Sequence, residues 1–231
     1  MKTGDGEGMK PVHTDIDPMR RLVLAYARAV DRDRYKTAFA LDAKLGDIIR
    51  TTSEILIGQM RLTWWRDILT KVADERPAGE PLLELLAPLE AAGEDISPLI
   101  RMVEGWEMLL DDFPWEDRQF ANHAEFRGKG LFQFAYGSNI PLDEQQKNAS
   151  RSWALWDFAR HCSDRAMREE AFHKCCALHK NWQKVRFDRS GRPLSILCQI
   201  VARDVKKGEL SANIYTPAVA RKIVWHGLTG R

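Results

Sequence analysis

The chain is predicted to fold as a single all-α domain, and three observations carry the prediction. Nearly every segment past Thr14 places apolar residues three and four apart, the period of one helix face. No stretch alternates apolar and polar residues long enough to anchor a sheet, and no repeat or low-complexity tract is evident. Ile55, Leu62, Trp65 and Leu69 recur at seven, three and four residues, a stripe along one helix that also carries two adjacent tryptophans. Neighbouring indoles point in different directions, so this helix is expected to be buried on two sides.

The elements follow in order. Met1 to Lys10 is polar and glycine-rich with no apolar core of a secretory signal, so residues 1–13 are expected to form a disordered leader, with Met9 a second candidate start. The helical domain then spans 14–231. The run from Thr14 to Asp17 offers capping oxygens ahead of Leu22, Ala25, Tyr26 and Ala29. A second helix is expected over Asp33 to Arg50, with Tyr35, Phe39, Leu41, Leu45 and Ile48 apolar. Ser53 is expected to cap the tryptophan helix, which fades near Pro77; Pro81 opens a short helix that Gly93 ends. Pro98 to Leu110 follows, with Leu99, Val103, Trp106 and Leu110 inward, and Pro114 breaks it. Asp117 to Tyr136 is apolar on one face, and its Gly128 and Gly130 admit close approach of another backbone or a ligand. Past Pro141 come a helix through Trp153, Trp156 and Phe158, another from Ser163-Asp164 to about Trp182, a turn at Arg189 to Pro193, and helices over Leu194 to Lys207 and Thr216 to Trp225. The total is roughly eight to ten helices.

Composition narrows the function classes. With 231 residues, one sizeable core is within reach. A net charge of +2 implies no strong nucleic-acid field, and the basic stretch from Lys174 to Arg189 is interrupted by Glu169, Glu170 and Asp188 around it, so no nucleic-acid partner is expected. No apolar run approaches the length of a membrane span, which leaves at most peripheral contact with a membrane. The four cysteines, Cys162, Cys175, Cys176 and Cys198, form no C-x-x-C pair and read as reduced thiols of a cytoplasmic protein. Eight tryptophans favour large helix contacts or an apolar cavity.

Arg61-Leu62-Thr63-Trp64-Trp65-Arg66-Asp67 closely resembles a signature of squalene/phytoene synthase-like proteins. Phe39 to Arg50 resembles that family's first aspartate-motif helix, Val103 to Met108 its glycine-centred helix, and Phe126 to Tyr136 its small-residue helix. Trp153 to His161 falls where the second aspartate motif lies, and Arg192-Pro193-Leu194 to Asp204 resembles the closing segment of bacterial members. The likeness spans roughly residues 15 to 210, and only the tryptophan helix is specific alone. It implies a terpenoid synthase-like bundle around a deep cavity, which in active members joins isoprenyl diphosphates head to head. Mg²⁺, held by carboxylates four apart on two facing helices, would bridge the diphosphate to the protein.

The chain departs from that pattern in both motifs. In the first, only Asp47 falls at an aspartate position, with Gly46 and Arg50 at its neighbours. Asp42 lies five residues from Asp47, so the two side chains diverge by about 140° around the helix axis. In the second, Asp157 is followed four residues on by His161, a poor Mg²⁺ ligand, with Arg160 beside it. The resemblance therefore implies a catalytically degenerate protein with no cofactor and no assigned catalytic residue. Such a protein would bind an isoprenoid, a lipid or a protein partner, as in the mitochondrial branch of the family that assists respiratory complex I assembly and also lacks intact aspartate motifs. The alternative is an active Mg²⁺-dependent prenyltransferase of isoprenoid biosynthesis, with Asp47 and Asp157 as metal ligands and Arg61, Arg66 and Trp65 contacting substrate.

Other constellations have plainer readings. Glu104, Glu107 and Asp111 share a helix face and read as a solvated acidic face rather than a metal or acid–base site. Cys175 and His179 have zinc-ligand spacing but no second matching pair, so burial is expected. Arg61 and Arg66 suit either phosphate contact or packing on the tryptophans. Trp64, Trp65, Trp106, Trp153 and Trp156 suit either core or cavity lining.

Overall fold

A computed structural model describes residues 16–214 and 216–229. The expected leader over 1–13, the candidate start at Met9 and the capping residues Thr14 and Asp15 lie outside the described residues. The described chain is all-helical, with no strand among the described residues.

Helix α1 (Pro18–Leu24) starts where Asp17 accepts from the backbone N–H groups of Met19 and Arg20 at 2.9 and 3.1 Å. It is shorter than the spacing predicts: Ala25 and Tyr26 lie beyond it, and a 3₁₀ turn at Ala29–Asp31 leads into α2 (Arg32–Thr51). Tyr35, Phe39, Leu41, Leu45 and Ile48 of α2 are all buried.

Helix α3 (Ile55–Thr70) corrects two expectations. Its N-cap is Glu54, not Ser53, and no side chain caps it. It is also buried on one side only: Trp65 is 3% exposed, whereas Trp64 is 42% exposed. The inward stripe is Gly58, Leu62, Trp65 and Leu69, spaced four, three and four. Ile55 belongs to that stripe by period but lies at the helix start with nothing over it, and it is exposed together with Leu56, Ile57 and Met60. Four exposed apolar side chains within six residues are uncommon on a folded surface.

Helix α4 (Pro81–Ala91) has the proline in its first turn, and α5 (Ser97–Glu107) passes into a 3₁₀ turn at Met108–Leu110. The stretch from Asp117 to Tyr136, apolar on one face, forms three pieces: α6 (Asp117–His123), a π-helical turn at Ala124–Lys129 and α7 (Gly130–Tyr136). A π turn adds a residue to the helix and re-aims its side chains, a feature frequent at functional sites.

Helix α8 (Glu144–His161) runs through the middle of the domain. Asp143 and Gln146 form a reciprocal capping box at its start. All eight residues from Ser152 to Ala159 are buried, so this part of the helix is covered all round. It packs against α9 (Arg165–His179), the π turn, α6 and α10 (Arg192–Lys207). Gly208 ends α10 at φ +74°, the left-handed position that favours glycine. Helix α11 (Pro217–Thr229) packs on α10. No helix among the described residues is long and apolar enough to cross a membrane.

Candidate functional site

A cavity of about 710 Å³ opens between α1, the C-terminal half of α2, α8 and α10. Its walls include Met19, Trp106, Trp153, Trp156, Phe158, Leu197 and Ile200, and its polar floor is a cluster of Arg20, Asp42, Arg127 and Asp157. Each charged residue comes from a different element: α1, α2, the π turn and α8 respectively.

Arg127 is the centre of the cluster. Its Nε donates to Asp42 Oδ1 at 2.9 Å, and one terminal nitrogen donates to Asp42 Oδ2 at 3.0 Å and to Asp157 Oδ2 at 2.5 Å. The guanidinium lies 4.1 Å from the Trp106 ring centroid and 5.1 Å from that of Trp153. Arg20 adds ion pairs to Asp42 at 2.7 Å and Asp17 at 3.1 Å, with Asp157 at 3.9 Å. The Trp106 indole N–H donates to Asp42 at 2.7 Å.

Close backbone packing holds Arg127 there. A Cβ on Gly105 would stand 2.5 Å from the Arg127 backbone nitrogen, and one on Gly128 would stand 2.3 Å from the Ser150 carbonyl oxygen. Two glycines thus bring α5 and α8 against the backbone on either side of Arg127. Burial alone would raise the Asp42 and Asp157 carboxyls, but the charges of Arg127 and Arg20 outweigh it and hold both below the usual carboxylate range. Burial opposes the charge on Arg127, and the two aspartates reverse that and raise its pKa.

The residues expected to form a metal and substrate site are not brought together. Asp47 lies off the cavity, ion-paired to Arg50, because it projects about 140° away from Asp42 around α2. Asp157 does line the cavity, but its carboxylate faces Arg127. Arg61 is exposed and donates to Thr52 at 3.0 Å, Arg66 pairs with Glu107 at 2.7 Å, and Trp65 is core; none of the three lines the cavity. Of the five tryptophans considered, Trp106, Trp153 and Trp156 line it and Trp64 and Trp65 do not.

Mg²⁺ prefers a near-octahedral set of free oxygens. The Asp42–Asp157 pair does not offer one, since a guanidinium already lies between the carboxylates. No group of three or more His, Cys, Asp or Glu that could hold a metal ion occurs among the described residues. Glu104 pairs with Arg101 at 2.8 Å, away from the cavity. Cys175 is buried beside the Ser152 hydroxyl at 3.2 Å, and the His179 ring packs edge-on to Trp182.

Arg20 and Arg127 lie outside the aspartate motifs, and Asp42, in the first motif helix, stands off the aspartate position that Asp47 occupies. The signal for them is local: Asp42 interrupts the apolar run Phe39 to Leu45, and Arg127 sits between Phe126 and Gly128 on an apolar, glycine-bearing face. Charges at such positions must be paired when buried.

No family model matches the chain, and no curated protein or solved structure matches it.

His123 packs behind the cluster, fully buried against Trp115 and Phe158, with Nδ1 2.8 Å from the Gly105 carbonyl oxygen. Burial, then the Arg127 charge, push its pKa down to about 4. The unfolded chain takes up this proton near the ordinary value of 6.5, so the folded state loses stability as pH falls from there toward 4. The expected loss is about 3 kcal/mol over that window. Asp42 and Asp157 add a second loss below about pH 4, because their folded values lie beneath their unfolded ones. Urea unfolding at pH 7 and pH 5 checks this: His123→Gln is expected to flatten the slope between the two, and an unchanged slope would assign it elsewhere.

Proposed function

We propose that this chain is a squalene/phytoene synthase-like bundle that has left metal-dependent prenyl transfer and binds an isoprenoid or other lipid in its cavity. The observation that carries the proposal is Arg127 standing between Asp42 and Asp157 on the floor of a cavity walled by indoles and aliphatic side chains. A permanently charged guanidinium uses up the carboxylates that a diphosphate-bridging metal would need. The apolar walls above it suit a hydrocarbon chain.

Incubation of the purified protein with farnesyl or geranylgeranyl diphosphate and Mg²⁺ is expected to give no turnover. Native mass spectrometry of the same protein is expected to retain a hydrocarbon-chain ligand, and Asp47→Ala is expected to leave that retention unchanged. Turnover abolished by Asp157→Ala would overturn the proposal and establish an active prenyltransferase instead.

A further inference from the structure

We infer that the polar end of the cavity ligand is an oxyanion, a carboxylate or a phosphate monoester, and that Arg20 and Arg127 bind it directly with no divalent cation between. The inference rests on the cavity-binding reading above and goes beyond it in naming the ligand's charged end.

Donors on the cavity floor outnumber the acceptors that meet them. Arg20 and Arg127 are 8% and 2% exposed, so each is more than nine-tenths buried. Arg127 engages the aspartates through Nε and Nη2, and Arg20 does so through the same two positions. The hydrogen bonds and ion pairs to described residues use Nε and Nη2 alone, which leaves Nη1 of each for a ligand in the cavity that both arginines line. A ligand oxygen that reached either Nη1 from the cavity would make a charge-assisted hydrogen bond there.

The acceptors are mostly taken. Both Asp42 oxygens are engaged, by Trp106, Arg127 and Arg20, and Asp157 Oδ2 accepts from Arg127. Asp157 Oδ1 faces His161 at 3.7 Å. What the floor lacks is therefore an acceptor with two or more oxygens, and an anion gains charge-assisted bonds there. Trp156, Phe158, Leu197 and Ile200 then receive the apolar chain.

The test is calorimetry on the full chain with three probes: oleate, farnesyl phosphate and neutral farnesol, each in EDTA and again in Mg²⁺. At least one anion is expected to bind roughly tenfold more tightly than farnesol, equally well in both buffers. Which anion binds distinguishes a fatty carboxylate from an isoprenyl phosphate. Arg20→Gln is expected to weaken the anion by roughly tenfold and so to remove most of its advantage over farnesol. If circular dichroism shows that variant unfolded, Arg20→Lys replaces it; it keeps the charge, loses the two-pronged geometry and is expected to weaken the anion alone. Farnesol binding as tightly as the anions would overturn the inference and leave the cavity-binding reading standing. Anion binding that requires Mg²⁺ would overturn the inference as well. Binding of none of the three would overturn both.

Discussion

Arg127→Ala is expected to destabilise the protein by about 3–5 kcal/mol, the usual cost of removing one partner from a buried ion pair. Asp42 is fully buried and Asp157 nearly so, and Arg127 makes the hydrogen bonds between them. Without it, two carboxylates face each other in an apolar interior with only Arg20 to offset them, 2.7 Å from Asp42 and 3.9 Å from Asp157. For a chain of this length the loss corresponds to a fall in Tm on the order of 10 °C. Urea or thermal unfolding at neutral pH measures it. The triple variant Arg127→Met, Asp42→Asn, Asp157→Asn is expected to recover much of the loss, because it removes both buried carboxylates together with their guanidinium partner and leaves Arg20 paired with Asp17. Arg127→Ala melting within a degree of the parent would show that the cluster does not hold the bundle together.

Gly128→Ala is the second large effect. The added Cβ would stand 2.3 Å from the Ser150 carbonyl oxygen and 2.8 Å from its carbon, both backbone atoms of α8. No rotamer relieves that contact, so α8 and the π turn must separate, at a cost of about 3 kcal/mol or more. The same separation displaces Arg127, so cavity binding is expected to weaken together with stability. Gly58→Ala on α3 is the control. There the new methyl meets side chains and no backbone: Leu110 at 3.2 Å, which can turn aside, and Thr52 at 3.8 Å, an ordinary contact. Alanine's better helix propensity, worth about 1 kcal/mol, is expected to leave that variant near or above parental stability. Equal effects at the two glycines would contradict the packing described for the α8 crossing.

The helical architecture was legible in the sequence because it depends on period. The inward positions of α2 follow from apolar residues at helical spacing, whereas the all-round burial of α8 from Ser152 to Ala159 has no such period to announce it. The outward face of α3 was not legible, because a sequence of apolar residues does not say which side a neighbouring helix covers; Ile55 fits the buried stripe by spacing yet has no neighbour at the helix start. The site shows the same division. The divergence of Asp47 from Asp42 was readable from five-residue spacing, and the structure separates them accordingly, with Asp42 in the cavity and Asp47 outside. The arginine that faces Asp42 was not readable, since Arg127 is 85 residues away along the chain. Its direction depends on a π turn, whose extra residue shifts the helical phase that periodicity assumes.

A guanidinium, not a divalent cation, holds the two cavity carboxylates. Titration of Mn²⁺ into the full-length protein, followed by loss of the free-ion electron paramagnetic resonance signal, tests it most directly. No stoichiometric site is expected in the parent or in Asp157→Ala. One tight site per chain, present in the parent and lost in Asp157→Ala, would contradict it.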